Sequence, residues 1–191
     1  MRYLNFDVSS SVIGWSFVDI SKGKILLDNI DYGFIKPPKG DEITSLYDLK
    51  NELSLFKKHR RKKNLHICIE EFPFFISGGK GFNSTARTIT KLAIYTRVTA
   101  LSLFEIFNIE PTFYKVATIR ATMRKLCNNK DIKKEDIPSS VQDIIRRKTT
   151  NDYWTFPVFL NKNNKVKPET FDIADSFAVG FTHAYKLGDL E

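Results

Sequence analysis

The hydrophobic pattern divides the chain into a strand-rich first part and a second part in which strands and helices alternate. Short apolar runs bounded by turn residues predict five strands, at 2–8, 12–19, 25–35, 65–70 and 110–115. Apolar residues at helical spacing predict four helices, at 41–58, 84–107, 117–127 and 170–186. Short turns join the first three strands, so they should form an antiparallel meander, whereas helices separate the later strands, which should pair in parallel.

This order of elements predicts an α/β fold. We expect a mixed five-stranded sheet, with three antiparallel strands followed by parallel strands, flanked by helices on both sides. Residues 128–168 are the least regular part and are rich in Lys, Arg and Asn, so we interpret them as a basic insertion. With 191 residues and no obvious linker or repeat, the chain 1–191 is predicted to be a single domain.

Composition narrows the class of protein. The chain is 42% hydrophobic and 13% aromatic, which excludes a disordered chain. No stretch approaches the ~18 apolar residues of a membrane span, and the N-terminus lacks the apolar region of a secretion signal. Two cysteines, Cys68 and Cys127, fit free thiols in a reducing compartment. We therefore expect a cytoplasmic protein without a membrane partner, of bacterial, phage or viral origin.

The net charge of +8 favours a polyanionic partner, either a nucleic acid or an anionic membrane surface. Basic residues are concentrated in three clusters, at Lys57–Lys63, Arg120–Lys125 and Arg146–Lys148. Each cluster could follow a nucleic-acid backbone. The alternative for the densest cluster, Lys57–Lys63, is a solvated helix end, where cations are favoured by the helix dipole.

Four acidic residues stand out against this basic background. Asp7 and Glu70 each end an apolar strand, where open α/β sheets keep their sites. Asp172 and Asp175 are three residues apart and therefore share one face of the last predicted helix, in an otherwise apolar segment. Carboxylates in apolar surroundings cost free energy unless they are paired, and a divalent cation with oxygen ligands is the usual partner of such a cluster.

Two neighbouring features leave alternatives open. Because strand side chains alternate, Ile67 and Ile69 favour Glu70 over Glu71 as the residue of the site. Three aromatic residues follow directly, at Phe72, Phe74 and Phe75. They could stack on exposed bases or belong to the hydrophobic core.

The sequence resembles the RuvC family of Holliday-junction resolvases, in the ribonuclease H-like superfamily. Three segments carry the resemblance: Asn5-Phe-Asp-Val-Ser with Gly14-Trp, then Ile67-Cys-Ile-Glu-Glu-Phe72, and Asp172-Ile-Ala-Asp-Ser-Phe-Ala-Val-Gly-Phe-Thr-His183. The last segment is the most specific, because the family ends in a helix with an Asp-x-x-Asp pattern followed by small and apolar residues. The resemblance implies a ribonuclease H-like sheet.

The same resemblance implies a mechanism. The metal-binding carboxylates of the family would fall on Asp7, Glu70, Asp172 and Asp175, and the basic residue near the scissile phosphate would fall on Arg120. Two Mg²⁺ ions about 4 Å apart, replaceable by Mn²⁺, would activate a water and stabilise the leaving 3′ oxygen. The expected enzyme is a crossover junction endodeoxyribonuclease that leaves 5′-phosphate and 3′-hydroxyl ends. A four-way junction has two-fold symmetry, so a homodimer is expected, with helix 84–107 as its interface.

Three other functions are compatible with parts of the pattern. A different ribonuclease H-like nuclease could act on flaps, other branched DNA or RNA–DNA hybrids. A non-catalytic branched-DNA-binding protein would use the same acids for structure only, which the full set of four argues against. An ATPase of the actin-like superfamily would also begin with an Asp on a hairpin, but the sequence has no second Gly-rich phosphate loop.

Overall fold

The computed structural model describes residues 1–9, 11–37, 42–59, 63–71, 86–149, 151 and 153–191. Five strands are present: β1 (Arg2–Val8), β2 (Ile13–Ser21), β3 (Lys24–Ile35), β4 (Leu65–Glu71) and β5 (Thr112–Lys115). Five helices are present in the described part of the chain: α1 (Glu42–Leu53), α2 (Ala86–Phe107), α3 (Val116–Leu126), α4 (Ile137–Thr149) and α5 (Pro168–Lys186). The five predicted strands and four predicted helices are therefore all found.

The strands form one mixed sheet in the order β3-β2-β1-β4-β5. β1 pairs antiparallel with β2, and β2 pairs antiparallel with β3. β1 pairs in parallel with β4, and β4 with β5. The predicted fold class, a mixed five-stranded sheet with a meander followed by parallel strands, is confirmed.

Alternation along β1 and β4 gives the sheet two apolar layers. Leu4 and Phe6 of β1 belong to the layer that packs on α1 and α2, together with Ile67 and Ile69 of β4. The intervening positions face the layer built with α3, α4 and α5, whose core includes Cys68. Successive residues of a strand point to opposite faces. The residues that alternate with Leu4 and Phe6 in β1, and with Ile67 and Ile69 in β4, therefore lie under α5.

Two glycines allow α5 to lie directly on the sheet. A Cβ atom at Gly14 would lie 2.1 Å from the carbonyl oxygen of Asp172, and one at Gly180 would lie 2.3 Å from Nδ2 of Asn5. Neither separation is compatible with a side chain of any size. The helix consequently begins beside the carboxyl end of β1 and runs back along it towards the amino end.

The region 128–168 contains more regular structure than the sequence pattern predicts. Helix α4 occupies 137–149, and its apolar residues Val141, Ile144 and Ile145 are buried in the core. The first helix is shorter than predicted, because it ends at Leu53 and continues as a 3₁₀-helix, Ser54–His59. Strand β5 begins at Thr112 rather than at residue 110.

Helix α2 is the longest element, with 22 residues. It buries Tyr95 and Leu103 against the sheet but leaves Leu101 57% exposed and Phe104 44% exposed. None of the helices formed by the described residues is both long and apolar enough to cross a membrane.

Candidate active site

Two of the predicted carboxylates lie side by side at the carboxyl ends of neighbouring strands. The parallel register pairs Phe6 of β1 with Ile69 of β4, so Asp7 and Glu70 follow at the next position of each strand. Both side chains point to the same face of the sheet as that of Cys68, which lies in the core layer under α5. The prediction of Glu70 rather than Glu71 as the residue on this face agrees with the register.

The other two carboxylates come from the first turns of α5. Asp172 is brought to β1 by the backbone contact with Gly14, which is itself paired with Asp7 in the β1–β2 ladder. Asp175 lies one helical turn further along and is partly exposed. The structure thus places four residues from three separate segments of the chain at one edge of the sheet.

Burial and mutual repulsion raise the pKa values of these carboxylates. Burial, followed by the charges of Glu70, Asp175 and Asp172, raises the pKa of Asp7 well above its ordinary value. Burial and the charge of Asp175 raise the pKa of Glu70 to about 7. Burial raises the pKa of Asp172 to about 6 and also raises the pKa of Asp175. The cluster therefore holds more negative charge than its surroundings stabilise.

Lys134 provides a cation beside the cluster that no sequence pattern predicts. Its Nζ lies 3.6 Å from Oδ2 of Asp175, and its charge opposes the raised pKa values of all four carboxylates. Burial lowers the pKa of Lys134, but the acidic neighbours outweigh this effect and raise it. Lys134 begins the 3₁₀-turn before α4, far from the acids in sequence, and no local pattern distinguishes it from Lys130 or Lys133.

Arg120 lies on the exposed side of α3, the helix that begins directly after β5. Its charge lowers the pKa values of Glu70 and Asp175, so the guanidinium is within electrostatic range of the cluster. Arg120 makes no ion pair within 4.0 Å with the described residues, so its donors are available to a ligand at this edge.

A second ion pair lies beside the cluster. Lys36, which follows β3, places its Nζ 2.5 Å from Oε1 of the buried Glu169. This contact lowers the pKa of Glu169. Glu169 is one turn before Asp172 on α5 and adds to the negative charge near it. Because Lys36 is far from α5 in sequence, nothing local predicts this pair.

The donor chemistry of the cluster suits a hard divalent cation, because carboxylate oxygens are the ligands that Mg²⁺ and Mn²⁺ prefer. The repulsion among the carboxylates is the kind that such a cation relieves. In the side-chain arrangement of the described residues, however, no three His, Cys, Asp or Glu groups are placed so that they could hold one ion. Coordination would therefore require the carboxylates to rotate inward, with Lys134 moving away from Asp175.

Other predicted residues lie elsewhere or outside the described part of the chain. Phe72, Phe74 and Phe75 are outside the described residues. The described residues of the basic run, Lys57, Lys58, His59 and Lys63, precede β4 and therefore lie at the amino end of that strand. At ~3.3 Å per residue, Leu65 is roughly 16 Å from Glu70 along the strand.

Basic side chains of two of the three clusters have local partners. Lys58 lies 3.1 Å from Asp31. The side chain of Arg146 donates to the carbonyl oxygen of Trp154 at 2.7 Å, and that of Arg147 donates to the carbonyl oxygen of Leu126 at 2.9 Å. These contacts hold three of the basic side chains against the fold, and the expected role of the clusters in phosphate binding stays a prediction.

Comparison with known proteins identifies the fold. The chain is similar to Thermus thermophilus RuvC in complex with a Holliday-junction substrate, with a TM-score of 0.63 and 14% sequence identity over 99% of this chain and 98% of that one. It is also similar to a second Thermus thermophilus RuvC structure, with a TM-score of 0.61, 15% identity and the same coverage. No protein-family model and no curated protein matches the sequence. The resemblance noted in the sequence is thus confirmed as structural: this chain has the RuvC fold throughout its length.

Proposed function

We propose that the protein is a metal-dependent, structure-selective DNA endonuclease that resolves four-way junctions. The observation that carries the proposal is the convergence of Asp7, Glu70, Asp172 and Asp175 at one edge of a RuvC-like fold. A metal-dependent phosphodiesterase has to attract DNA and hold a cation. The net charge of +8 would serve the first need, and the cluster of four carboxylates the second. The similar Thermus thermophilus protein was solved with a Holliday-junction substrate, which supports this choice of substrate.

The four carboxylates would hold Mg²⁺ or Mn²⁺. Two bound ions supply a nucleophilic water at neutral pH and stabilise the leaving oxygen of a phosphodiester. The strand register fixes the backbone of Asp7 and Glu70, and the contact of α5 with Gly14 fixes that of Asp172, so only the side chains would have to rotate to bind an ion. In-line hydrolysis would leave a 5′-phosphate and a 3′-hydroxyl.

Two basic residues would act on the phosphate itself. Arg120 has free donors at the edge of the cluster and would bind the phosphoryl oxygens as negative charge develops on them. Lys134 compensates the carboxylates before the cation binds. When it is released from Asp175, its ammonium group is positioned to contact the non-bridging oxygens of the bound phosphate.

The proposed enzyme is a homodimer that uses α2 as its interface. Leu101 and Phe104 are exposed apolar residues on this helix and are flanked by the half-buried Ala93 and Ala100. Such a stripe fits a two-fold contact between identical helices. Two sites in one dimer would match the two symmetric strands of a four-way junction.

Cleavage of synthetic DNA tests the proposal. The protein with Mg²⁺ is expected to cut a four-way junction at paired positions and to prefer it to a flap, a linear duplex and an RNA–DNA hybrid. The variants Asp7→Asn and Asp175→Asn should lose cleavage and keep junction binding. Preference for a flap or a hybrid would assign another ribonuclease H-like activity, and binding without any cleavage would leave a branched-DNA-binding protein.

A further inference from the structure

Residues 158–167 form a small hairpin directly before α5, which we name the lysine hairpin. The backbone amide of Lys167 donates to the carbonyl oxygen of Phe159 at 2.8 Å, and that of Asn161 donates to the carbonyl oxygen of Lys165 at 2.9 Å. The side chain of Asn161 also accepts a hydrogen bond from the amide of Lys165, at 3.0 Å. Backbone and side-chain hydrogen bonds therefore hold the turn in one conformation.

The lysine hairpin is fixed to the edge that carries the carboxylates. The ring of Phe159 packs edge-to-face on Phe34 of β3, with 5.8 Å between ring centroids. The amide of Phe159 donates to Oγ1 of Thr170 at 2.9 Å. Along α5, Lys167 and Asp172 are five residues apart, roughly 7.5 Å at 1.5 Å per residue. The base of the hairpin is therefore a short distance from the proposed scissile phosphate.

The exposed surface of the lysine hairpin is both apolar and basic. Leu160 and Val166 face each other across an antiparallel bridge and share one side of the hairpin, although they remain 48% and 43% exposed. Val158, two residues before Leu160, is 56% exposed. Three lysines, at 162, 165 and 167, accompany them, and residues 153–168 contain no Asp or Glu. A uniformly positive, partly apolar protrusion is complementary to a polyanion with apolar faces.

Cations flank the carboxylates on both sides along this edge. Lys115 ends β5 at one side of the sheet, and the lysine hairpin packs on β3 at the other side. The strands that carry Asp7 and Glu70 lie between them in the sheet order. Four strand spacings of ~4.8 Å separate β3 from β5, about 19 Å in all, which is several phosphates of an extended strand.

We propose that the lysine hairpin is a nucleic-acid-binding element of the enzyme. Its lysines contact phosphates of the DNA strand beyond the scissile position, and its apolar side lies against sugars and bases exposed at the branch. The inference rests on the proposed function, because it takes branched DNA as the ligand. It also assigns a direction to the substrate, which crosses the sheet edge from the β5 side to the β3 side.

The lysines are tested by the salt dependence of binding to a fluorescent four-way junction in Ca²⁺, which limits cleavage. In Lys162→Ala/Lys165→Ala, two lost phosphate contacts should flatten the slope of log affinity against log salt by up to about 1.8 and weaken binding roughly tenfold. The matched control is Lys22→Gln/Lys24→Gln, which removes the same charge at the β2–β3 turn, on the opposite edge. The control should keep the slope of the wild type.

The apolar side is tested separately. Leu160→Ala/Val166→Ala should weaken binding about 3- to 10-fold without changing the salt slope, because apolar contacts release no counterions. The melting temperature should stay that of the wild type, since both side chains are exposed. Equal affinity and slope in the hairpin variants, the control and the wild type would overturn the inference.

The same experiments separate this inference from the proposed function. A wild type that cuts junctions while the hairpin variants bind normally would retain the function and reject the hairpin. A wild type that binds through the hairpin but never cuts would retain the hairpin and reject the nuclease. If the wild type binds no junction, flap or single strand, both proposals are wrong.

Discussion

Asp7 shows how a buried carboxylate can weaken a fold. Its carboxylate lies beside Glu70, Asp172 and Asp175, and burial, followed by repulsion among these groups, raises the pKa values of Asp7 and Glu70. A carboxylate whose pKa is higher in the folded than in the unfolded state binds its proton more tightly when folded. The stability linked to it is therefore present at low pH and is lost as the pH rises, for Glu70 between 4.5 and about 7.

We therefore predict that Asp7→Asn stabilises the metal-free protein. At pH 8 in EDTA the gain should be about 1–3 kcal/mol, or roughly 2–12 °C in melting temperature, and at pH 5 it should be much smaller. Thermal unfolding followed by circular dichroism measures both. Asp19→Asn is the contrasting variant, because Asp19 is ion-paired with Arg2 at 3.3 Å and its loss should lower the melting temperature. A destabilising Asp7→Asn at pH 8 would contradict the prediction.

Lys134 should compete with the metal ion for the carboxylates. In Lys134→Ala the positive charge near Asp175 is lost, so Mn²⁺ should bind more tightly, by about 3- to 10-fold, because a like charge no longer opposes it. Isothermal titration calorimetry without DNA measures this affinity. The neighbouring Lys133→Ala is the matched control and should bind Mn²⁺ like the wild type. Weaker binding in Lys134→Ala would show that the lysine supports the metal site instead.

For single residues, the sequence predicts those positions that strand alternation and helical spacing determine. The parity of Ile67 and Ile69 identifies Glu70, and the spacing of three identifies Asp172 with Asp175, because both patterns are local. Lys134 could not be predicted, since it reaches the site only when the segment before α4 folds over α5. The metal ligation and the catalytic roles stay predictions.

At the scale of elements, α2 carries the prediction on assembly. Leu101→Glu places a charge on the exposed apolar stripe and should convert a dimer into monomers, because a buried unpaired charge destabilises an interface. Sedimentation at micromolar concentration measures the change. Leu187→Glu is the control, since it adds the same charge on an exposed apolar position at the end of α5. A wild type that sediments as a monomer with and without junction DNA would contradict the dimer.

The elements also show where sequence patterns fail. Strands and long helices were predicted within a few residues because their apolar positions repeat over many residues. Helix α4 was missed although Ile137, Val141 and Ile144 recur at helical spacing. Pro138 and the polar residues around the helix weaken its pattern. Its place in the fold comes from packing against α5 and β3, which no local pattern records.

For the whole molecule, the proposed homodimer with two active sites predicts how the strands of a junction are cut. Mixed dimers of wild type and Asp175→Asn would contain one active site and should nick a plasmid cruciform, whereas wild-type dimers should linearise it. Co-expression with two affinity tags isolates the mixed dimer, and agarose gels separate nicked from linear product. Linear product at the wild-type rate would mean that one site cuts both strands.

The seating of α5 on Gly14 and Gly180 has an evolutionary consequence. At Gly14 the backbone of β2 contacts the backbone of α5, and at Gly180 the helix contacts the side chain of Asn5. These two contacts set the distance between helix and sheet, so this distance does not depend on the size of the apolar side chains around them. Those side chains can be exchanged over time while Asp172 stays beside Asp7. The geometry of this edge can therefore be retained while the sequence of the surrounding core changes. Substitutions that keep the volume of this core should be tolerated, whereas any side chain at Gly14 or Gly180 should not be.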